Sequence, residues 1–176
     1  MNEFFESRFE GDLELPAVPD DFTVRLADRV KDGLLRRGSR HRANYEVRES
    51  SPDGIVFAAA DWSTGINLGL NEVAIDRGDG ERLHYTVRYP VWARYVRWLS
   101  AGIALVGYAL YVIPAIRGEV RSYPMGEYFY FGMLGFWGFL WPNLLIGLHK
   151  GAAARCLERI LREELAPVGS EEMRRS

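Results

Sequence analysis

Cysteine and lysine are nearly missing from this chain of 176 residues: Cys156 stands alone, and Lys31 and Lys150 are the only lysines among 22 basic residues. One cysteine excludes an intramolecular disulfide and any paired-thiol metal or redox motif. Arginine used in place of lysine points to a GC-rich genome and hence a bacterium. Histidine is scarce as well, and His41, His84 and His149 are scattered along the chain rather than gathered. His149 and Cys156 lie seven apart on one helical face, but two ligands make a weak metal signal. A net charge of −2 lacks the basic surplus of a nucleic-acid binder. The opening stretch MNEFFESRFEGDLELP has neither a basic n-region nor an apolar h-region, so a secretory signal is not expected. No nucleophile elbow, Walker loop or dinucleotide fingerprint occurs; GINLGLN, residues 65–71, only superficially suggests one. No catalytic residue, metal site or cofactor is therefore expected, and an enzyme is the least favoured class.

Charge is also missing where it matters most. Trp98 to Ile116 and Tyr128 to Leu148 contain no Asp, Glu, Lys or Arg. At about 1.5 Å rise per residue these runs reach roughly 28 and 31 Å, close to the hydrocarbon thickness of a bilayer. The reading is a transmembrane helical hairpin over 91–149, with spans at about 96–116 and 128–149 and an external linker at 117–127. Trp92, Tyr95 and Trp98 form an aromatic belt leading into the first span. Basic residues near the spans number seven on the terminal sides (Arg88, Arg94, Arg97, Lys150, Arg155, Arg159, Arg162) and two in the linker (Arg117, Arg121). By the positive-inside rule both termini are expected in the cytoplasm, with the protein in a bacterial inner membrane. Intramembrane ionisable groups mark most proton relays and ion paths, and none is present in these runs.

Lipid tails are as apolar as leucine, so close backbone approach has to hold two spans together. Ser100, Ala104 and Gly107 line one face of the first span; Gly135, Gly138 and Pro142 line one face of the second. A symmetric hairpin would set Gly107 against Gly138. Pro142 removes a helical donor and predicts a kink, with Asn143 either repairing the local deficit or bonding across to another helix.

Residues 1–90 read as a small cytoplasmic α+β domain, one helix on a mostly antiparallel sheet of four or five strands. Residues 1–19 are an edge strand or an extended acidic segment. Phe22, Leu26, Val30 and Leu34 recur at spacing four, predicting a helix from about Phe22 to Arg37 that ends at Gly38. Strands are expected around 43–48, 55–60, 71–76 and 82–89, separated by turns at 51–54 and 77–80; residues 61–69 read as a loop. Arg36, Arg37, Arg40 and Arg42 make a basic cluster suited to anionic lipid or phosphate, or simply to a helix C-terminus. Residues 150–166 form an amphipathic helix that could lie on the membrane, cover the sheet or meet another subunit. Residues 167–176 read as a disordered tail.

Two functions fit this architecture. One is a non-catalytic accessory or scaffold subunit, or an anchor, that docks membrane or cytoplasmic partner proteins, or further copies of itself, through its cytoplasmic domain. The other is a membrane-tethered sensor that binds a ligand or lipid head group near residues 61–69 and the arginine cluster.

Overall fold

The computed structural model describes residues 7–34, 44–68, 70–79 and 81–165. The Arg36, Arg37, Arg40 and Arg42 cluster and the tail beyond Leu165 lie outside those residues. The chain is α+β and divides into two compact units, one holding the sheet and the other spanning Ala93–His149.

The sheet unit combines residues up to Trp92 with those from Lys150 onward. Its strands are β1 (Arg8–Glu14), β2 (Tyr45–Ser50), β3 (Gly54–Ala59), β4 (Glu72–Arg77) and β5 (Arg82–Arg88), all antiparallel, in the order β1-β5-β4-β3-β2. Strands β2 to β5 form a meander: short turns join β2 to β3 and β4 to β5, and a longer connection over residues 60–71 joins β3 to β4. Ser51 and Gly54 close one turn through a backbone bond of 2.8 Å, and Gly78 and Arg82 close another at 2.9 Å. The α1 connection (Phe22–Lys31) carries the chain from one sheet edge, β1, to the other, β2.

Period-two alternation sorts this sheet into two faces. Leu13, Ile55, Phe57, Val73, Ile75, Leu83, Tyr85 and Val87 are buried on one. Phe22, Leu26 and Val30 of α1 are buried with them, each of them worth about 1.5–3 kcal/mol in removal from water. The opposite face is polar and laced by cross-strand pairs: Glu14–Arg82 at 2.8 Å, Asp12–His84 at 2.9 Å and Glu72–Arg88 at 3.1 Å.

Two expectations for this unit need correcting. Helix α1 stops at Lys31 rather than Arg37, since Gly33 takes a left-handed φ of 96° and ends it a turn earlier than Gly38 would. Residues 61–69 are not simply a loop: Trp62–Leu68 is helix α2. Asp61 starts it, accepting from the Thr64 amide at 2.7 Å and the Ser63 hydroxyl at 2.8 Å.

In the second unit, α3 (Pro90–Tyr111, whose first three residues belong to the sheet unit) is followed by α4 (Pro114–Ser122), α5 (Gly126–Gly135), a π-helical turn (Phe136–Leu140) and α6 (Trp141–Leu165, which passes into the sheet unit at Lys150). The last three run on as one 40-residue helical stretch, among the described residues the single helix long and apolar enough to cross a membrane. The expected first span at 96–116 is not one helix. It breaks after Tyr111, and α4 leaves at 90° to α3. Pro114 is the cause: it forbids helical geometry at the residue before it, and Ile113 sits at ψ 122°. Most of the expected linker at 117–127 is helical.

Residues 150–165 are not a separate helix either; they continue α6 without a break. Ala153, Leu157, Ile160, Leu161 and Leu165 are buried, and polar ties fasten this stretch to the sheet unit. The Tyr85 hydroxyl donates to Glu158 at 2.8 Å, and the buried Arg29 guanidinium lies 3.8 Å from Glu164. Gly11 makes the first tie possible, since a Cβ there would collide with the Tyr85 ring directly across the strand pair. Of the three roles open to this helix, covering the sheet is the one adopted.

Candidate functional site

The helical seam of the second unit brings together most of the side chains singled out in the sequence. On α3, Ala93, Val96 and Ser100 are buried, and Ala104, Gly107 and Tyr111 continue the same stripe half-buried. Spacings of three and four keep these six on one helical face. Facing them are Tyr130 and Leu134 of α5 and Gly138 of the π turn. Three contacts fix the register. Leu134 sits where a Cβ on Gly107 would be, a Cβ on Gly138 would lie 3.1 Å from that of Ala104, and the Tyr130 hydroxyl donates to the Gly107 carbonyl at 2.6 Å. Continuing that register by whole turns pairs Ser100 with Pro142 and Val96 with Ile146, and all four are buried.

Two of the expected contacts change. Gly138 meets Ala104 rather than Gly107, and a Cβ added at Gly135 would point into open space. The π turn accounts for both: it holds more residues per turn than an α-helix, so the inward face runs through 134, 138, 142 and 146 at an unbroken spacing of four. The π turn also answers Pro142, whose ring would otherwise press on the carbonyl of residue 138. The Trp141 amide instead reaches back to Phe136. Asn143 repairs its own helix, donating to the Phe139 carbonyl at 2.8 Å.

Several groups in this unit escaped the sequence reading. Tyr111 stacks against Tyr130 and Phe131, with ring centroids 5.3 and 4.9 Å away. Its hydroxyl also donates to Glu127, which takes a second bond from Arg121 at 2.6 Å. These groups stitch the closed end of the hairpin. A carboxylate at the edge of an apolar run, one turn before a tyrosine cluster, was the signal available for them.

Trp98 is 76% exposed and Tyr95 37% exposed. Trp92, by contrast, is only half-exposed and packs edge-on to Tyr89 at 6.1 Å.

In the sheet unit the polar groups of residues 61–71 are largely turned on one another. Besides its bonds to Ser63 and Thr64, Asp61 accepts from Asn44 at 3.1 Å. The Thr64 amide and these hydroxyl and amide donors hold its carboxyl down at about 2. Asn71 is buried; its Nδ2 donates to the Gly65 carbonyl at 2.9 Å and its Oδ1 accepts from the Val91 amide at 2.7 Å, capping the start of α3. Asn71 is thus a brace. The buried Tyr45 hydroxyl has no hydrogen-bond partner among the described residues, and burial drives its pKa well up. A crevice of about 580 Å³ opens between Glu14, Leu15, Pro16, Asp79, Glu81, Arg82 and Arg162, with charges of both signs and no histidine or nucleophile in its lining. Among the described residues no three His, Cys, Asp or Glu side chains are arranged to hold a metal ion.

No protein-family model, curated protein or solved structure matches the chain.

Proposed function

We propose that this is a non-catalytic integral membrane protein, an accessory or scaffold subunit that anchors a folded cytoplasmic domain by a helical hairpin. The observation carrying this reading is the distribution of exposed apolar side chains. Apart from Val24 and Trp62, every large exposed hydrophobic residue among those described lies between Tyr95 and Leu148. Water would penalise such a surface at about 25 cal/mol per Å², and contiguous patches of this kind mark membrane or protein contacts. The hairpin seam supports the same reading, because small residues and a tyrosine-to-carbonyl bond are what close helix packing uses inside lipid. Trp98 would stand at the cytoplasmic interface, and Tyr123 and Tyr128 at the opposite one. The hydrogen bonds that occupy residues 61–71 disfavour a ligand pocket there and leave partner docking as the stronger role for the cytoplasmic domain.

Alkaline carbonate washing of membranes, with reporter fusions, tests the anchor and its orientation. The protein should stay with the membrane pellet. A reporter active only outside the cytoplasm should work within 117–122 and stay silent at either terminus. Release into the supernatant would rule out integral insertion, and an external signal from the C-terminus would reverse the orientation.

A further inference from the structure

We infer that α4 is an interfacial helix that lies flat at the outer head-group layer and caps the hairpin, in contact with lipid phosphates. The inference rests on the membrane-anchor reading above. A helix crossing the bilayer runs near the membrane normal, so a segment leaving it at 90° runs near the membrane plane. The length of α3 puts the bend near the right depth: Tyr95 to Tyr111, where the helix ends, covers roughly 25 Å, a little under one hydrocarbon thickness. The break therefore falls where the chain comes out of the hydrocarbon.

The sequence of α4, PAIRGEVRS, suits that position. Ile116 and Val120 share a face one turn apart and are half-buried, whereas Arg117, Glu119, Arg121 and Ser122 are exposed. Helices of this pattern settle with the apolar side about 5–10 Å into the head-group boundary and cationic side chains toward phosphate. The turn that follows holds α4 close to α5. Met125 takes a left-handed φ of 58°, and at Gly126 a Cβ would run into the Val120 carbonyl. The Arg121–Glu127 pair adds a second tie. A bent apolar pair of helices could instead be a re-entrant loop dipping back into the bilayer. The charges of Arg117, Glu119 and Arg121 oppose that, since each costs roughly 2.5–3.5 kcal/mol at the bilayer centre.

Nitroxide depth measurements on the full-length protein separate these geometries. In a Cys156→Ser background, single cysteines at 105, 116, 119, 120 and 122 are labelled, and the protein is reconstituted in phosphatidylcholine vesicles containing phosphatidylglycerol. The label at 105 reports insertion itself and should be open to oxygen and closed to a water-soluble nickel chelate. Labels at 116 and 120 should read at phosphate depth, with chelate access several-fold below that at 119 and 122. Equal, water-like access at all four α4 positions would overturn the proposal by placing α4 off the membrane. Hydrocarbon-like depth at all four would overturn it in favour of a re-entrant loop. A water-like label at 105 would reject the anchor reading, and the α4 proposal with it.

Discussion

The sheet unit and the Ala93–His149 unit sort apolar side chains in opposite senses. In the first, Leu13, Phe22, Leu26, Phe57, Val73 and Leu83 are at most 1% exposed, and charge pairs cover the outward face of the sheet. In the second, Leu105, Phe129 and Phe139 are 67%, 73% and 78% exposed, while the interior stripe is built from Ser100, Ala104, Gly107 and Gly138. One unit places its large apolar groups inside and polar groups outside; the other turns large groups out and small ones in. Burying apolar area drives the first arrangement in water. The second lowers free energy only where the surroundings are themselves apolar, so that tight packing of small residues decides which helices meet.

The sharpest way to break that contrast is to truncate one large apolar side chain in each unit. Leu26→Ala empties a fully buried site and should cost about 2–5 kcal/mol of the sheet unit's stability. Val106→Ala, at a position 60% exposed, should change stability in detergent by no more than about 0.5 kcal/mol. Denaturant unfolding of the two variants checks both values. Equal losses would mean that Val106 is covered and that the two units do not differ in this way.

Chemical crosslinking tests the small-residue interior. With Cys156 replaced by Ser, cysteines at 104 and 138 should form a disulfide within one chain, because their Cβ separation falls near the disulfide range. Cysteines at 107 and 138 should react more slowly, since Gly107 faces Leu134 instead. Gly107→Leu should weaken the 104–138 crosslink by pushing out Leu134 and the Tyr130 hydroxyl. A dominant 107–138 product would restore the symmetric register and discard the phase shift imposed by the π turn.

Acid sensitivity is a smaller effect, confined to the sheet unit. Asp61 titrates at about 2 when folded, against about 4 in an unfolded chain. A depressed carboxyl adds stability above its unfolded pKa and loses it as the pH falls through the folded one. The melting-temperature difference between the native protein and Asp61→Ala should therefore be constant above about pH 4 and shrink toward pH 2. A difference independent of pH would show that the helix start does not depend on the charged carboxylate.

The smallest change expected is at Tyr45. An unpartnered buried hydroxyl carries a desolvation cost, so Tyr45→Phe should be neutral or stabilise by up to about 1 kcal/mol. A clear loss of thermal stability would show that the hydroxyl has a partner in solution.

Sequence alone determined what local periodicity and composition control. Alternation at 43–48, 71–76 and 83–89 pointed to strands and their faces, because successive side chains of a strand must point to opposite sides, and at 9–15 it left an edge strand or an extended acidic segment open. Turn residues imposed antiparallel neighbours for β2–β3 and β4–β5. Uncharged runs at 98–116 and 128–148 marked two strongly apolar segments, the second of which lies in a helix long and apolar enough to cross a membrane. Tertiary structure decided the rest. The reading of 96–116 as one span passed over Pro114, and the 90° turn that follows it is held by packing between α4 and α5. The register of the seam followed from a π turn whose extra residue no periodicity announced. Residues 150–165 could have lain on lipid; they went to the sheet because Gly11 let the Tyr85 hydroxyl reach Glu158 and because the buried Arg29 found carboxylates at 163 and 164. Those partners are more than 70 and 130 residues apart in the chain, and contacts at such separation arise from the whole fold rather than from any local segment.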